Sequence, residues 1–153
     1  AKRYLYICTP YLIIDDSMLN SLTFLAQSGV DVRIITPSKW DKRLVHITTQ
    51  SFYSDLIKGG VRIYEYTPGF IHSKIFVSDD EIASIGTANL DFRSLYLHFE
   101  CGTMLYGSSA VIEAKNDFLA TLDECKEIRP EDCKHSVLRR LLGSFMRLIS
   151  PLL

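Results

Sequence analysis

Ile71-His72-Ser73-Lys74-Ile75-Phe76-Val77-Ser78-Asp79-Asp80-Glu81-Ile82-Ala83-Ser84-Ile85-Gly86-Thr87-Ala88-Asn89 reads as two strands, His72–Ser78 and Glu81–Ile85, folded back about Asp79-Asp80. Side chains alternate across a strand, so His72 and Lys74 leave one face about 7 Å apart while Ile75 and Val77 take the other and enter a core. An imidazole and an ammonium this close disfavour the doubly cationic state, and an anion between them removes the conflict. The returning strand brings Gly86-Thr87-Ala88-Asn89 to the same end. Gly86 permits a close backbone approach, and Thr87 and Asn89 add neutral hydrogen-bonding groups. The pattern predicts a cradle for a tetrahedral phosphate: one fixed cation, several neutral donors, and an imidazole able to attack or to protonate.

Upstream of the hairpin, Tyr4–Thr9 is an apolar run closed by Pro10. A helix capped at Asp16 or Ser17 carries Met18, Leu19, Leu22, Leu25 and Ala26 on one face and stops at Gly29. Val30–Thr36 is a strand, Trp40–Lys58 a helix ending at Gly59-Gly60, and Val61–Tyr66 a strand. This β-α-β-α-β order predicts an α/β fold, a mixed and largely parallel sheet flanked by helices. Downstream, Leu95–Tyr106 reads as one long strand, which puts His98 and Glu100 on one face, and Ala110–Leu122 as a helix. Two units follow: a domain over 1–133 and an amphipathic basic tail over 134–153. In the tail Leu138, Leu141, Leu142, Phe145, Met146 and Ile149 form an apolar stripe beside Arg139, Arg140 and Arg147. That stripe suits either packing on the domain or an anionic lipid surface.

The chain has 153 residues, 47% of them hydrophobic, and a net charge of −1. These values fit one globular domain and exclude global disorder. The balanced charge argues against a nucleic-acid partner. Cys8, Cys101, Cys125 and Cys133 form no C-x-x-C pair and are too sparse for a disulfide scaffold, and Cys8 and Cys101 read as buried hydrophobes. No metal-ligand spacing and no membrane span is visible. The opening Ala1-Lys2-Arg3, without Met, predicts a domain cut from a longer protein.

His72-x-Lys74-x4-Asp79 followed by Gly86-Thr87-x-Asn89 resembles the signature of the phospholipase D superfamily. The likeness extends to Thr9-Pro10-Tyr11, Val30–Ile35, Tyr64–Phe70, the run Gly86–Ser94, Phe99-Glu100 and the closing Arg147–Leu153, as in the C-terminal halves of bacterial cardiolipin synthases. Two positions depart: Ile14-Asp15 stands where that family carries Pro-Asp, and His98 where it carries Asn. The resemblance implies a phospholipase D-like fold and displacement at phosphorus through a phosphohistidine, without metal or cofactor. It also implies a second histidine, from another copy of the motif, to protonate the leaving alkoxide. His72, Lys74, Asp79, Asn89 and Glu100 are then the catalytic set, and His72, Lys74, Thr87 and Asn89 the phosphate ligands. Asp79 is expected to be chiefly structural, Glu100 to orient an imidazole, and Asp91 and Arg93 to pair as scaffold. His46 and His135 read as ordinary surface or helix residues.

The implied reaction is phosphatidyl transfer between two phosphatidylglycerol molecules, giving cardiolipin and glycerol. The implied partners are these lipids, a cell membrane met on its cytoplasmic face through the parent protein, and the N-terminal half of that protein or a second copy of this chain. The chain alone is expected to be soluble and inactive or weak. Two other readings are a homodimeric single-motif phosphodiesterase or nuclease, and a half that binds phosphate without turnover. Whether His72 attacks or protonates stays open, with a lean toward acid/base work, as does which histidine Glu100 serves.

Overall fold

A computed structural model describes residues 1–134 and 136–150. In chain order the elements are β1 (Tyr4–Cys8), β2 (Leu12–Ile13), α1 (Asp16–Gln27), β3 (Asp31–Pro37), α2 (Arg43–Lys58), β4 (Arg62–Tyr66), β5 (Ile75–Ser78), β6 (Ile82–Gly86), β7 (Leu90–Asp91), a π-helical turn (Arg93–Leu97), β8 (Gly102–Tyr106), α3 (Ser109–Leu122), β9 (Cys125–Ile128) and α4 (Val137–Leu148). Seven strands form one sheet in the order β8-β6-β5-β1-β3-β4-β9. The β1–β3 and β3–β4 pairs are parallel, and the pairs outward from them are antiparallel. This is a mixed α/β sheet with helices on both faces.

Alternation builds two cores. Leu5, Ile7, Val32, Ile34 and Ile63 face α1 and α2, where they meet Leu22, Phe52 and Leu56. Tyr4, Tyr6, Cys8, Ile35, Tyr64, Ile75 and Val77 face α3 and surround Phe118. Tyr6 stacks on Phe118 with ring centroids 4.9 Å apart. The topology sends the C-terminal ends of β1, β3, β4 and β6 and the start of β5 to one edge of the sheet.

Several sequence expectations shift in the structure. The α1 cap is Asp15, whose Oδ1 accepts from the Met18 N–H at 2.7 Å, one residue ahead of the expected caps. α2 begins at Arg43, leaving Trp40 outside it. β5 begins at Ile75, so His72–Lys74 lie ahead of the strand: β1 pairs only as far as Cys8, opposite Ile75, before Pro10 turns the chain away. The long strand expected from Leu95 is a π-turn and an irregular link, and only Gly102–Tyr106 pairs with β6. The strand parity assigned to His98 and Glu100 therefore does not apply. Cys101 is exposed rather than buried, because this link runs outside both cores.

The tail forms α4 against α2. The Arg147 guanidinium lies 4.1 Å from the Phe52 ring centroid and donates to the Ser51 carbonyl at 2.9 Å and to Asp55 at 2.8 Å. Met146 is buried, while Leu141, Phe145 and Leu148 are exposed. His135 and residues 151–153 lie outside the described residues, as do the side chains of Leu138 and Arg140.

Candidate active site

His72 and Lys74 converge although neither sits in the strand. Lys74 Nζ lies 3.0 Å from His72 Nδ1 and 3.1 Å from Nε2, and donates to the His72 carbonyl at 2.8 Å. Near-equal distances to both ring nitrogens describe an ammonium set against the ring rather than one directed bond. Lys74 keeps its register through its carbonyl, which accepts from the Gly86 N–H at 3.2 Å. The imidazole leans on Phe70, with centroids 5.8 Å apart, and Phe70 leans on Tyr11 at 6.3 Å.

The second strand of the hairpin delivers the neutral groups. A Cβ on Gly86 would stand 2.5 Å from the Cys101 carbonyl oxygen and 2.6 Å from Gly102 Cα. Both contacts are backbone, so only glycine lets β6 and β8 close here. That closure sets Thr87, whose N–H donates to the Cys101 carbonyl at 3.0 Å and whose Oγ1 accepts from the Cys101 N–H at 2.9 Å. The same hydroxyl donates to the Glu100 carboxylate. Thr9 ties the loop after β1 to this segment: its Oγ1 accepts from the Leu90 N–H at 3.2 Å and donates to the Tyr11 carbonyl at 2.8 Å. The short parallel pair β2–β7 continues the seam.

Asn89 and Ser94 form a further link that sequence reasoning passed over. The Asn89 amide nitrogen donates to Ser94 Oγ at 3.3 Å, while Asn89 Oδ1 is buried without a hydrogen-bond partner among the described residues. Ser94 is buried, and its own N–H is capped by Asp91 Oδ1 at 2.7 Å. The local signal was Asp91-x-x-Ser94, the spacing of a carboxylate that caps a turn. Asp91 thus braces the loop through Ser94, and no Asp91–Arg93 ion pair forms among the described residues; Arg93 points to solvent.

Asp79 is not brought to this cluster. It sits at the far end of the hairpin, in the left-handed region with Asp80 (φ 59° and 63°), as a tight hairpin turn requires. Its carboxylate accepts from the N–H groups of Lys2, Arg3 and Tyr4 at 2.7, 2.8 and 3.0 Å. Burial opposes the charge, but these three bonds outweigh it and hold the carboxyl at about 2.

The surroundings shift three titrating groups at this edge. Burial first, and the Lys74 ammonium second, hold His72 below its ordinary 6.5, so the ring is neutral at pH 7. Burial lowers Lys74, and Glu100 acts against that. The Thr87 hydroxyl, then Ser94, keep Glu100 ionised to lower pH than an ordinary glutamate. The edge is open: two clefts of about 460 and 480 Å³ lie along α2 and α4, and neither is lined by His72 or Lys74. Among the described residues, no three metal-ligating side chains converge, and no helix is long and apolar enough to cross a membrane.

Residues 1–122 match the family model described as cardiolipin synthase, PLD-like domain. The whole chain is 44% identical over 154 residues to the cardiolipin synthase of Halalkalibacterium halodurans and to cardiolipin synthase 2 of Bacillus cereus, covering 31% and 30% of those proteins. It thus spans about a third of the length of such relatives. The fold is similar to that of phosphatidylserine synthase from Haemophilus influenzae, with a TM-score of 0.79 at 17% identity, over 99% of this chain and 42% of that one. With the family model spanning most of the chain, and with the hairpin, its glycine closure and the His72–Lys74 pair in place, this chain belongs to the phospholipase D-like domains of the cardiolipin synthase family.

Proposed function

We propose that this chain is one catalytic half of a phosphatidyltransferase that converts two phosphatidylglycerol molecules into cardiolipin and glycerol. An imidazole nitrogen attacks the phosphodiester phosphorus, and the bond to the terminal glycerol breaks. A second imidazole gives that alkoxide its proton, so glycerol leaves. A hydroxyl of the second phosphatidylglycerol then attacks the phosphohistidine and loses its proton to the second imidazole, and the first imidazole is released. One ring cannot attack and protonate in the same step, so the reaction needs a second motif, from an N-terminal half or from a second copy. His72 supplies one of the two rings. Lys74, Thr87 and Asn89 hold the non-bridging oxygens, and Glu100 orients an imidazole.

The observation that carries this reading is the convergence of His72 and Lys74 on the edge where Thr87 and Asn89 arrive. Asp79 serves as the hairpin's anchor. Residues 1–133 form the catalytic half and 134–153 its tail, and the parent protein works at a cell membrane. The test is lipid exchange on labelled phosphatidylglycerol by the two-motif protein carrying His72→Ala. Loss of a general acid–base or nucleophilic group costs on the order of a thousandfold or more. Cardiolipin output at the normal rate would end the proposal.

A further inference from the structure

We infer that the segment 39–44 is the surface on which this chain docks to an anionic lipid bilayer, with Trp40 as its anchor. The inference rests on the phospholipid reading above for its setting, and on the following geometry for its content. Lys39, Trp40, Asp41, Lys42, Arg43 and Leu44 are all exposed. Trp40, in the link between β3 and α2, shows 56% of its surface, and Leu44, in the first turn of α2, shows 53%. The segment carries three cations and one carboxylate, and that carboxylate is engaged by the Tyr11 hydroxyl. With that carboxylate counted, the segment keeps a net charge of +2.

Contacts fix this segment beside the reactive edge. Lys39 Nζ donates to the Pro68 carbonyl at 2.9 Å, and Lys42 Nζ lies 5.9 Å from the Tyr11 ring centroid. Tyr11 is the first of the three rings that step through Phe70 to His72. The segment that carries Trp40 is thus held at the edge that carries the imidazole. Behind it opens the cleft of about 480 Å³, lined by Trp40, Arg43, His46, Arg139 and Leu142 among others. Beyond the cleft, Leu141, Phe145 and Leu148 stand exposed along α4.

This combination selects the occupant. Indole rings settle at the headgroup level of a bilayer, and lysine and arginine side chains lay aliphatic stems along it while their charges stay at the anionic surface. Three exposed basic residues around one exposed indole complement a negatively charged lipid surface.

Trp40 is the only tryptophan of the chain, so its emission reports the contact directly. With phosphatidylglycerol-containing vesicles at low salt, the emission should move to shorter wavelength, and added salt should reverse the shift. Pure phosphatidylcholine vesicles should produce little. Replacing Lys39, Lys42 and Arg43 by Gln should lower partitioning on the order of a hundredfold, since each basic group at such a surface is worth about fivefold. Trp40→Ser, read by co-sedimentation, should weaken binding as well. An emission unmoved by phosphatidylglycerol vesicles, or moved equally by phosphatidylcholine, overturns the inference. So does a shift that follows protein concentration without lipid, which would give this face to a second copy. Docking is read without turnover, so its failure leaves the transfer reading standing, and a failed His72→Ala test leaves the emission shift untouched.

Discussion

Asp79 completes the His72-x-Lys74-x4-Asp79 motif, yet its carboxylate faces the backbone of Lys2, Arg3 and Tyr4, so its loss should be felt in stability before chemistry. Asp79→Ala removes one charged acceptor and three bonds. Lys2 and Arg3 are exposed, so their N–H groups turn to water at small cost, whereas Tyr4 is 6% exposed and its N–H is stranded. One stranded buried donor costs about 1–3 kcal/mol. The titration gives an independent figure: a carboxyl brought from 3.8 to about 2, at about 1.4 kcal/mol per pH unit, contributes about 2.5 kcal/mol. Both routes point to about 2–3 kcal/mol, a large part of a typical domain's stability. The folded-state value is depressed, so this contribution is complete above pH 3.8 and drains away as pH falls toward 2. Urea unfolding of wild type and Asp79→Ala at pH 7 should show the full difference, and the two curves should approach each other below pH 3.8. Equal stability at pH 7, together with lost transfer in the two-motif protein, would refute the anchoring role and place Asp79 in the chemistry.

Two further outcomes follow from the site's geometry. Gly86→Ala drives a methyl onto the Cys101 carbonyl and Gly102 Cα; backbone cannot step aside as a side chain would, so thermal unfolding should show a loss of about 1–3 kcal/mol and parting of β8 from β6. Lys74→Met removes the second of the two causes that depress His72; the ring's NMR titration should move up toward 6.5 without reaching it, because burial remains, and an unmoved titration would mean that the ammonium does not act on the ring.

Apart from the two-residue β2, the succession from β1 to β4 was legible because apolar spacing and the punctuation at Pro10, Gly29, Pro37 and Gly59-Gly60 agree with one another. The hairpin was legible from Asp79-Asp80, since paired residues that tolerate the left-handed region mark a tight turn. The stretch after Asn89 misled for a physical reason. Leu95, Tyr96, Leu97 and Phe99 have the composition of a strand but are exposed; Asp91 caps the turn at Ser94, and the Tyr96 hydroxyl donates to Asp15, 81 residues away, at 2.6 Å. Partners that distant in sequence leave no periodic trace. β9 was hidden by the opposite disguise. Cys125–Ile128 carries Lys126 and Glu127, which read as solvent-facing, and they serve an edge strand whose Glu127 pairs with Arg62 at 3.2 Å. The candidate site residues were visible as a motif, while Ser94 and Thr9 were not, because their service is to hold other residues.

The depressed titration of His72 bears on which role it takes in the proposed reaction. A ring that is neutral at pH 7 has a free lone pair and can attack phosphorus as it stands; to protonate a leaving alkoxide it must first acquire a proton beside Lys74. A bound phosphodiester changes that balance. Its negative charge, set against both groups, offsets the repulsion that holds the ring neutral and raises the imidazole toward protonation. Substrate binding thus suits His72 for acid work, and the empty edge suits it for attack. The charge count argues for a second half in either case. Addition to a singly charged phosphodiester builds a second negative charge on the oxygens, and Lys74 is the ammonium that this chain sets against the imidazole. On the proposed path the opposing half must bring another, together with the second imidazole. The pH profile of transfer separates the roles. If His72 is the acid, Lys74→Met should raise the pH at which the rate falls on the alkaline side. If His72 attacks, the same substitution should move the acidic limb upward and leave the alkaline limb in place. No movement of either limb would show that His72 titration does not govern the rate.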